Sequence, residues 1–230
     1  MTQGRIAMVA LDIAGTSVDE GGAVYVALRS AVESHTGEPI PHDRFERWKG
    51  TGKRQAIAGL LGDVPIDEVD AVEAQFTGRL LDAYASTPPT PLTGVEDAFA
   101  VLREHGVKIV LQTGYSRTIA GPLLEQVGWQ VGRDVDAVIT SDQVQASRPA
   151  PYLIFHGMEA VGVQSVSEVL VAGDTPNDLR AGTNAGARFV AGVLTGAHGA
   201  DTLRPEPHTH ILASAAAIPE VLGLREPVTA

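Results

Sequence analysis

Four side chains in this sequence have the types and settings needed to handle an anion: Asp12, Arg148, Asp174 and Asp178. Asp12 closes an apolar, strand-like run and is followed by Ile13, Ala14, Gly15 and Thr16, a small-residue turn whose main-chain amides could face an anion at the strand end. Taken alone, such an aspartate could equally cap the next turn. A second run ends in Thr113, Gly114 and Tyr115, which offers a hydroxyl and an amide to a phosphoryl oxygen. Arg148, between Ser147 and Pro149, is a cation suited to neutralising a transferring group. A third run ends in Gly173, Asp174, Thr175, Pro176, Asn177 and Asp178. Its two carboxylates, in a chain without cysteine, read as an oxygen site for magnesium, although the cluster could also cap a helix around Asp174.

The elements that must position these groups alternate. Strand-type runs over residues 6–12, 108–112, 137–140, 169–172 and 188–193 end in polar or glycine-containing turns and are separated by helical patterns. This predicts an α/β fold with a doubly wound parallel sheet and active residues at the carboxyl ends of its strands. The interval from Glu20 to Ser86 breaks the alternation. It carries helical patterns over 24–32, 55–61 and 69–84 and no strand, which predicts an all-helical cap inserted after the first strand. Residues 1–19 and 87–230 then form the core and 20–86 the cap. Asp19 and Glu20 belong to the hinge leading into the cap, and Thr87, Pro88, Pro89 and Pro91 form a stiff return, so the insert reads as a hinged lid.

Bulk properties narrow the function. The 230 residues, 44% of them hydrophobic, suffice for one α/β core with an appendage. The net charge of −11 argues against a nucleic-acid groove and implies that an anionic substrate is caught by a few local cations. Apolar runs are far shorter than the roughly 20 residues of a membrane span, and no charged-then-apolar leader begins the chain, so a soluble cytoplasmic protein is expected. The seven histidines are scattered, and His208 and His210 read as structural neighbours of an edge strand near Ile211.

The ordered set of Asp12–Thr16, Thr113, Arg148 and Gly173–Asp178 resembles the haloacid dehalogenase superfamily over essentially the whole chain. The resemblance implies that Asp12 attacks phosphorus to form an aspartyl-phosphate, that Asp12, Asp174 and the Ala14 carbonyl hold Mg2+, and that Asp178 supports the metal shell. It implies a small phosphorylated or phosphonate metabolite as substrate and a homodimer through the cap helices.

Ordinary phosphatases of this superfamily have a second aspartate where this chain has Ala14. Losing that acid costs about 10² to 10⁴ in rate for a poor leaving group. The Asp-x-Ala-Gly-Thr motif, an arginine at 148 and a cap lysine together resemble phosphonoacetaldehyde hydrolase, in which the cap lysine forms a Schiff base with the aldehyde. Lys53, three residues after Gly50, is at the matching position. The known hydrolases carry a histidine three residues after the lysine and a methionine four before it, where this chain has Ala56 and Lys49. Other segments are more similar to the sister clade of phosphonatase-like hydrolases. Lys49 is expected to depress the Lys53 pKa as a neighbouring ammonium; both lysines could instead form a solvated basic face or an anion clamp. Trp48 could wall the lid's inner surface, and Tyr115 could face the substrate or cover the sheet edge.

Overall fold

The computed structural model describes residues 5–225. The chain enters through β1 (Met8–Asp12), buried at every residue, makes a tight turn, and forms β2 (Val18–Asp19). Four helices follow: α1 (Ala23–Thr36), α2 (His42–Glu46), α3 (Lys53–Leu61) and α4 (Ile66–Ser86). The chain returns through β3 (Thr90–Pro91) into α5 (Val95–Glu104), β4 (Lys108–Gln112), α6 (Arg117–Val127) and β5 (Ala137–Ile139). It then runs through α7 (Tyr152–Val161), β6 (Val169–Gly173), α8 (Pro176–Ala185) and β7 (Phe189–Val193), and ends in α9 (Ala200–Leu203), β8 (His210–Leu212) and α10 (Ile218–Val221).

The main sheet is parallel in the order β5-β4-β1-β6-β7-β8. Alternation along β1 explains why it needs cover on both faces. Val9 and Leu11 join Phe99, Leu102, Ile119 and Leu123 on the α5–α6 side, whereas Met8 and Ala10 join Leu153, Ile154 and Ala181 on the α7–α8 side. Because β4 and β6 flank β1 on opposite sides, the chain reverses winding direction at β1. Open α/β sheets bind ligands at such a switch point, outside the carboxyl ends of the strands.

The helical insert packs around Leu28, Val32, Ile57, Val72, Phe76 and Leu80, in an apolar cluster continuous with the α5–α6 face of the core. Two features were not predicted. The short helix α2 lies between the first two predicted helical patterns, and the proline-rich return is half of an antiparallel ribbon in which Val18 pairs with Pro91 and Asp19 with Thr90. Proline is tolerated there because the ribbon is all edge. No helix among the described residues is long and apolar enough to cross a membrane.

Candidate active site

Asp12 ends β1 beside Gln112, its register partner at the end of β4. The fully buried Arg148 binds Asp12 Oδ1 through one terminal nitrogen at 2.6 Å and Asp178 Oδ1 through the other, and it reaches the Gln112 carbonyl at 3.3 Å. Asp178 also accepts from the Thr175 amide and hydroxyl, a reciprocal cap in which Pro176 takes the first helical position. A bulkier residue at 173 would collide with Asp178, so Gly173 permits the approach. Removing one partner from a buried ion pair of this kind costs about 3–5 kcal/mol.

Asp174 is held differently. It accepts the Ala197 amide at 2.6 Å and the Thr16 hydroxyl at 3.4 Å, and no arginine or lysine pairs with it among the described residues. Burial pushes its pKa up, and the charges of Asp12 and Asp178 push it further in the same direction. Asp12 is also raised by burial, with Arg148 opposing. Of three neighbouring buried carboxylates, two therefore pair with one guanidinium and Asp174 is left without a cation among the described residues. An oxygen-only donor set with surplus negative charge fits Mg2+, which commonly uses one or two protein carboxylates and completes its shell with water and substrate phosphate. Among the described residues no group of three or more carboxylate, imidazole or thiolate side chains is placed to enclose a metal.

The turn after Asp12 corrects one expectation. The amides of Gly15, Thr16 and Ser17 donate to Val18, Ile13 and Ile13, so these groups close the turn and do not face an anion. Gly15 adopts φ +77°, and a Cβ there would lie 2.8 Å from Asp174 Oδ2. Gly15 and Thr16 thus serve by packing under Asp174, while Ala14 lines the site.

The cap supplies the other wall. Lys53 begins α3 with its side chain buried; its main-chain amide donates to the Gly114 carbonyl at 2.9 Å and its ammonium to the Thr51 carbonyl at 3.1 Å. Its Nζ lies 5.6 Å from the Tyr115 ring centroid and 5.8 Å from that of Tyr25. Burial, then the Arg148 charge, lowers its pKa to about 8. Lys49 is not the depressing neighbour that was expected: its ammonium is 2.7 Å from Glu46, which absorbs its charge. Trp48 packs over Gly59, so it is a packing residue of the cap. Tyr115 is buried and its hydroxyl meets that of Tyr84 at 3.0 Å.

Asp12, Lys53, Gly50, Thr113, Tyr115 and Arg148 all line one void of about 20 Å³. Gly114 lines it as well, and the Thr113 hydroxyl accepts the Tyr115 amide at 3.1 Å. That volume holds about one water, so the cap loop lies close over the strand ends. Contacts to the backbone of the cap loop hold it against the core. Asn177 donates to the Lys49 carbonyl at 2.7 Å, Gly50 at φ +78° presses its Cα against Thr175, and Gly114 abuts the Thr51 carbonyl. His198, buried behind Asp174, bridges the Asp174 carbonyl at 3.3 Å and Glu46 at 3.2 Å. The sequence reading missed the loop from Thr195 to His198 and the clamp role of Asn177. The signal for the loop was present, since it follows the predicted run over residues 188–193 and is another strand terminus.

A haloacid dehalogenase-like hydrolase family model matches residues 6–186. The chain belongs to that family. Among curated proteins, this haloacid dehalogenase-like hydrolase is 32% identical to the phosphonoacetaldehyde hydrolase of Parabacteroides distasonis, over 84% of this chain and 78% of the relative. It is 29% identical to the phosphonoacetaldehyde hydrolase of Bacillus cereus strain B4264, over 84% and 77%. Its fold is similar to a phosphonoacetaldehyde hydrolase-like protein from Oleispira antarctica, with TM-score 0.81, 19% identity and coverage of 96% and 92%. A hydrolase from Pseudomonas syringae superposes with TM-score 0.82 at 17% identity, covering 94% and 98%.

Proposed function

We propose that this hydrolase cleaves the carbon–phosphorus bond of a small aldehyde phosphonate, of which phosphonoacetaldehyde is the simplest, using Lys53 and Asp12 together. The observation that carries the reading is their convergence on one small void, with Lys53 buried and its pKa lowered to about 8. A buried amine of that basicity is roughly one-tenth unprotonated at pH 7, far more than an ordinary lysine, and that fraction can add to a carbonyl.

In this mechanism the Lys53 nitrogen bonds to the aldehyde carbon and the carbonyl oxygen leaves as water, giving an iminium. An Asp12 carboxylate oxygen then attacks phosphorus in line with the carbon–phosphorus bond. The bonding pair moves into the carbon skeleton, forming an enamine on Lys53 and an aspartyl-phosphate on Asp12. Water hydrolyses the phosphate from Asp12; protonation of the enamine and hydrolysis of the imine free the aldehyde. Because the electrons go to an iminium, no alkoxide needs a proton, which accounts for Ala14 where a phosphatase keeps an acid. Arg148 neutralises phosphoryl oxygens and holds Asp12 in register. Mg2+ held by Asp12, Asp174 and the Ala14 carbonyl, with Asp178 behind, would supply further charge neutralisation at phosphorus.

A phosphatase with Lys53 binding a remote anion is the second reading, favoured by Ala56 and Lys49, where the resembled hydrolases carry histidine and methionine. Phosphate release with magnesium separates the two. Turnover of phosphonoacetaldehyde that vanishes in Lys53→Met supports carbon–phosphorus cleavage, and hydrolysis of phosphate monoesters alone, surviving that substitution, establishes the phosphatase.

A further inference from the structure

Glu20 follows β2, at the point where the chain leaves the sheet for the cap. It is half-buried, and no cation pairs with it among the described residues. Its Oε2 accepts the Val24 amide at 2.8 Å and the Tyr84 hydroxyl at 3.3 Å. Tyr84 in turn shares a hydrogen bond with Tyr115, whose ring lies beside the Lys53 ammonium. Glu20 also lines a cavity of about 260 Å³ with Gly15, Tyr25 and Asp174. That cavity and the small void around Asp12 and Lys53 have Ala14 and Tyr25 in common, so they adjoin where a phosphatase would carry its acid.

From this placement we infer that Glu20 is the acid–base residue of the imine chemistry, in a chain with Ala56 where the resembled hydrolases carry a histidine. The inference rests on the Lys53 reading above. After the amine has added and a proton has passed from nitrogen to oxygen, the Glu20 carboxyl donates a proton to the hydroxyl. The hydroxyl leaves as water, the nitrogen lone pair closes the carbon–nitrogen double bond, and Glu20 is left as a carboxylate. In the hydrolysis of the product imine, that carboxylate takes a proton from the water attacking carbon, which restores the acid.

Electrostatics agree. Burial lifts the Glu20 pKa to about 7, against the lowering effects of the Val24 amide, the Tyr84 hydroxyl and the Lys53 charge. The other titratable groups that face it are Tyr25 and Tyr115, both neutral at that pH, while Asp19 is exposed beside it and Asp174 closes the far side of the cavity. A group of that pKa can give and take protons near neutrality.

The rival role is structural, since Glu20 also caps α1 and anchors Tyr84. Two substitutions move the roles in opposite directions. Glu20→Gln keeps the length and the acceptor oxygen but cannot donate as an acid, whereas Glu20→Asp keeps the acid and shortens the arm. The measurements are phosphate release from phosphonoacetaldehyde over pH and the rate at which borohydride traps the Lys53 adduct. The expected result is a kcat loss of about 10² to 10⁴ in Glu20→Gln, with KM little changed, the pH limb near 7 gone and trapping slowed, and a smaller loss in Glu20→Asp with the limb retained. Equal or better performance by Gln than by Asp, while the wild type is still trapped, overturns the role of Glu20 and leaves the Lys53 reading standing. No trapped adduct in the wild type overturns both.

Discussion

The two walls of this site are built on opposite principles. On the core side, charged side chains project from the ends of β1 and β6, and from the loop before α7, and fix one another: Arg148 grips Asp12 and Asp178, and Asp178 is locked by the cap of its own helix. On the cap side the loop leading into α3 is held by main-chain groups, through Gly114, Thr51 and the Lys49 carbonyl, and the buried Lys53 ammonium donates to a carbonyl beside two tyrosine rings. The core wall is a network of paired charges; the cap wall is docked through main-chain groups and brings an amine with lowered basicity. In the proposed mechanism the first wall carries the phosphorus chemistry and the second the carbonyl chemistry.

The strongest way to break the contrast is on the core side. Asp12→Asn removes the nucleophile and should lower phosphate release by about 10⁴-fold or more, the scale seen when a covalent nucleophile is lost, while borohydride still traps substrate on Lys53. Loss of trapping as well would mean that the walls do not divide the chemistry. Lys53→Met should do the reverse, abolishing phosphonate turnover while raising the melting temperature. The sign follows from linkage. The Lys53 pKa falls from 10.5 to about 8 in the folded state, so its contribution to stability is full above 10.5 and is lost as pH falls through 8. The stabilisation by methionine should therefore be larger at pH 7 than at pH 10, as thermal unfolding at the two pH values would show.

The unpaired carboxylate gives a metal test. The Asp174 pKa is raised, so ionising it in the folded state costs stability, and that cost appears as pH rises from the ordinary carboxylate range through the raised value. Magnesium should raise the melting temperature of the wild type at neutral pH, and chelation should reverse the gain. Asp174→Asn should melt higher than metal-free wild type and should not respond to magnesium. The smallest effect is expected at the clamp. Asn177→Ala removes the hydrogen bond to the Lys49 carbonyl, worth about 0.5–1.5 kcal/mol, so substrate affinity should fall by roughly tenfold at most with kcat nearly kept.

The same contrast explains what could be read from the sequence. The sheet, its active strand ends and the grouping of Asp12, Arg148, Asp174 and Asp178 were legible, because a buried parallel strand writes a continuous apolar run and its terminus marks the chemistry. Gly15 and Thr16 were given amides facing an anion because the turn was recognised without its internal hydrogen bonds. On the cap side, Lys49 and Lys53 are close in sequence, yet Glu46 takes the charge of one while Arg148, far along the chain, acts on the other. Such pairings depend on how the loop docks, and local spacing does not encode them. Glu20 was read only as a hinge residue for the same reason: Tyr84 reaches it from a distant segment and links it to Tyr115.

The most direct test of the account is to incubate the wild-type protein with phosphonoacetaldehyde and magnesium, reduce with borohydride, and map the modified peptide. The account predicts a stable adduct on Lys53, formed as activity is lost, and none at Lys49. Continued turnover of phosphonoacetaldehyde with no lysine modified would contradict it, since the carbon–phosphorus bond would then break without an imine on Lys53.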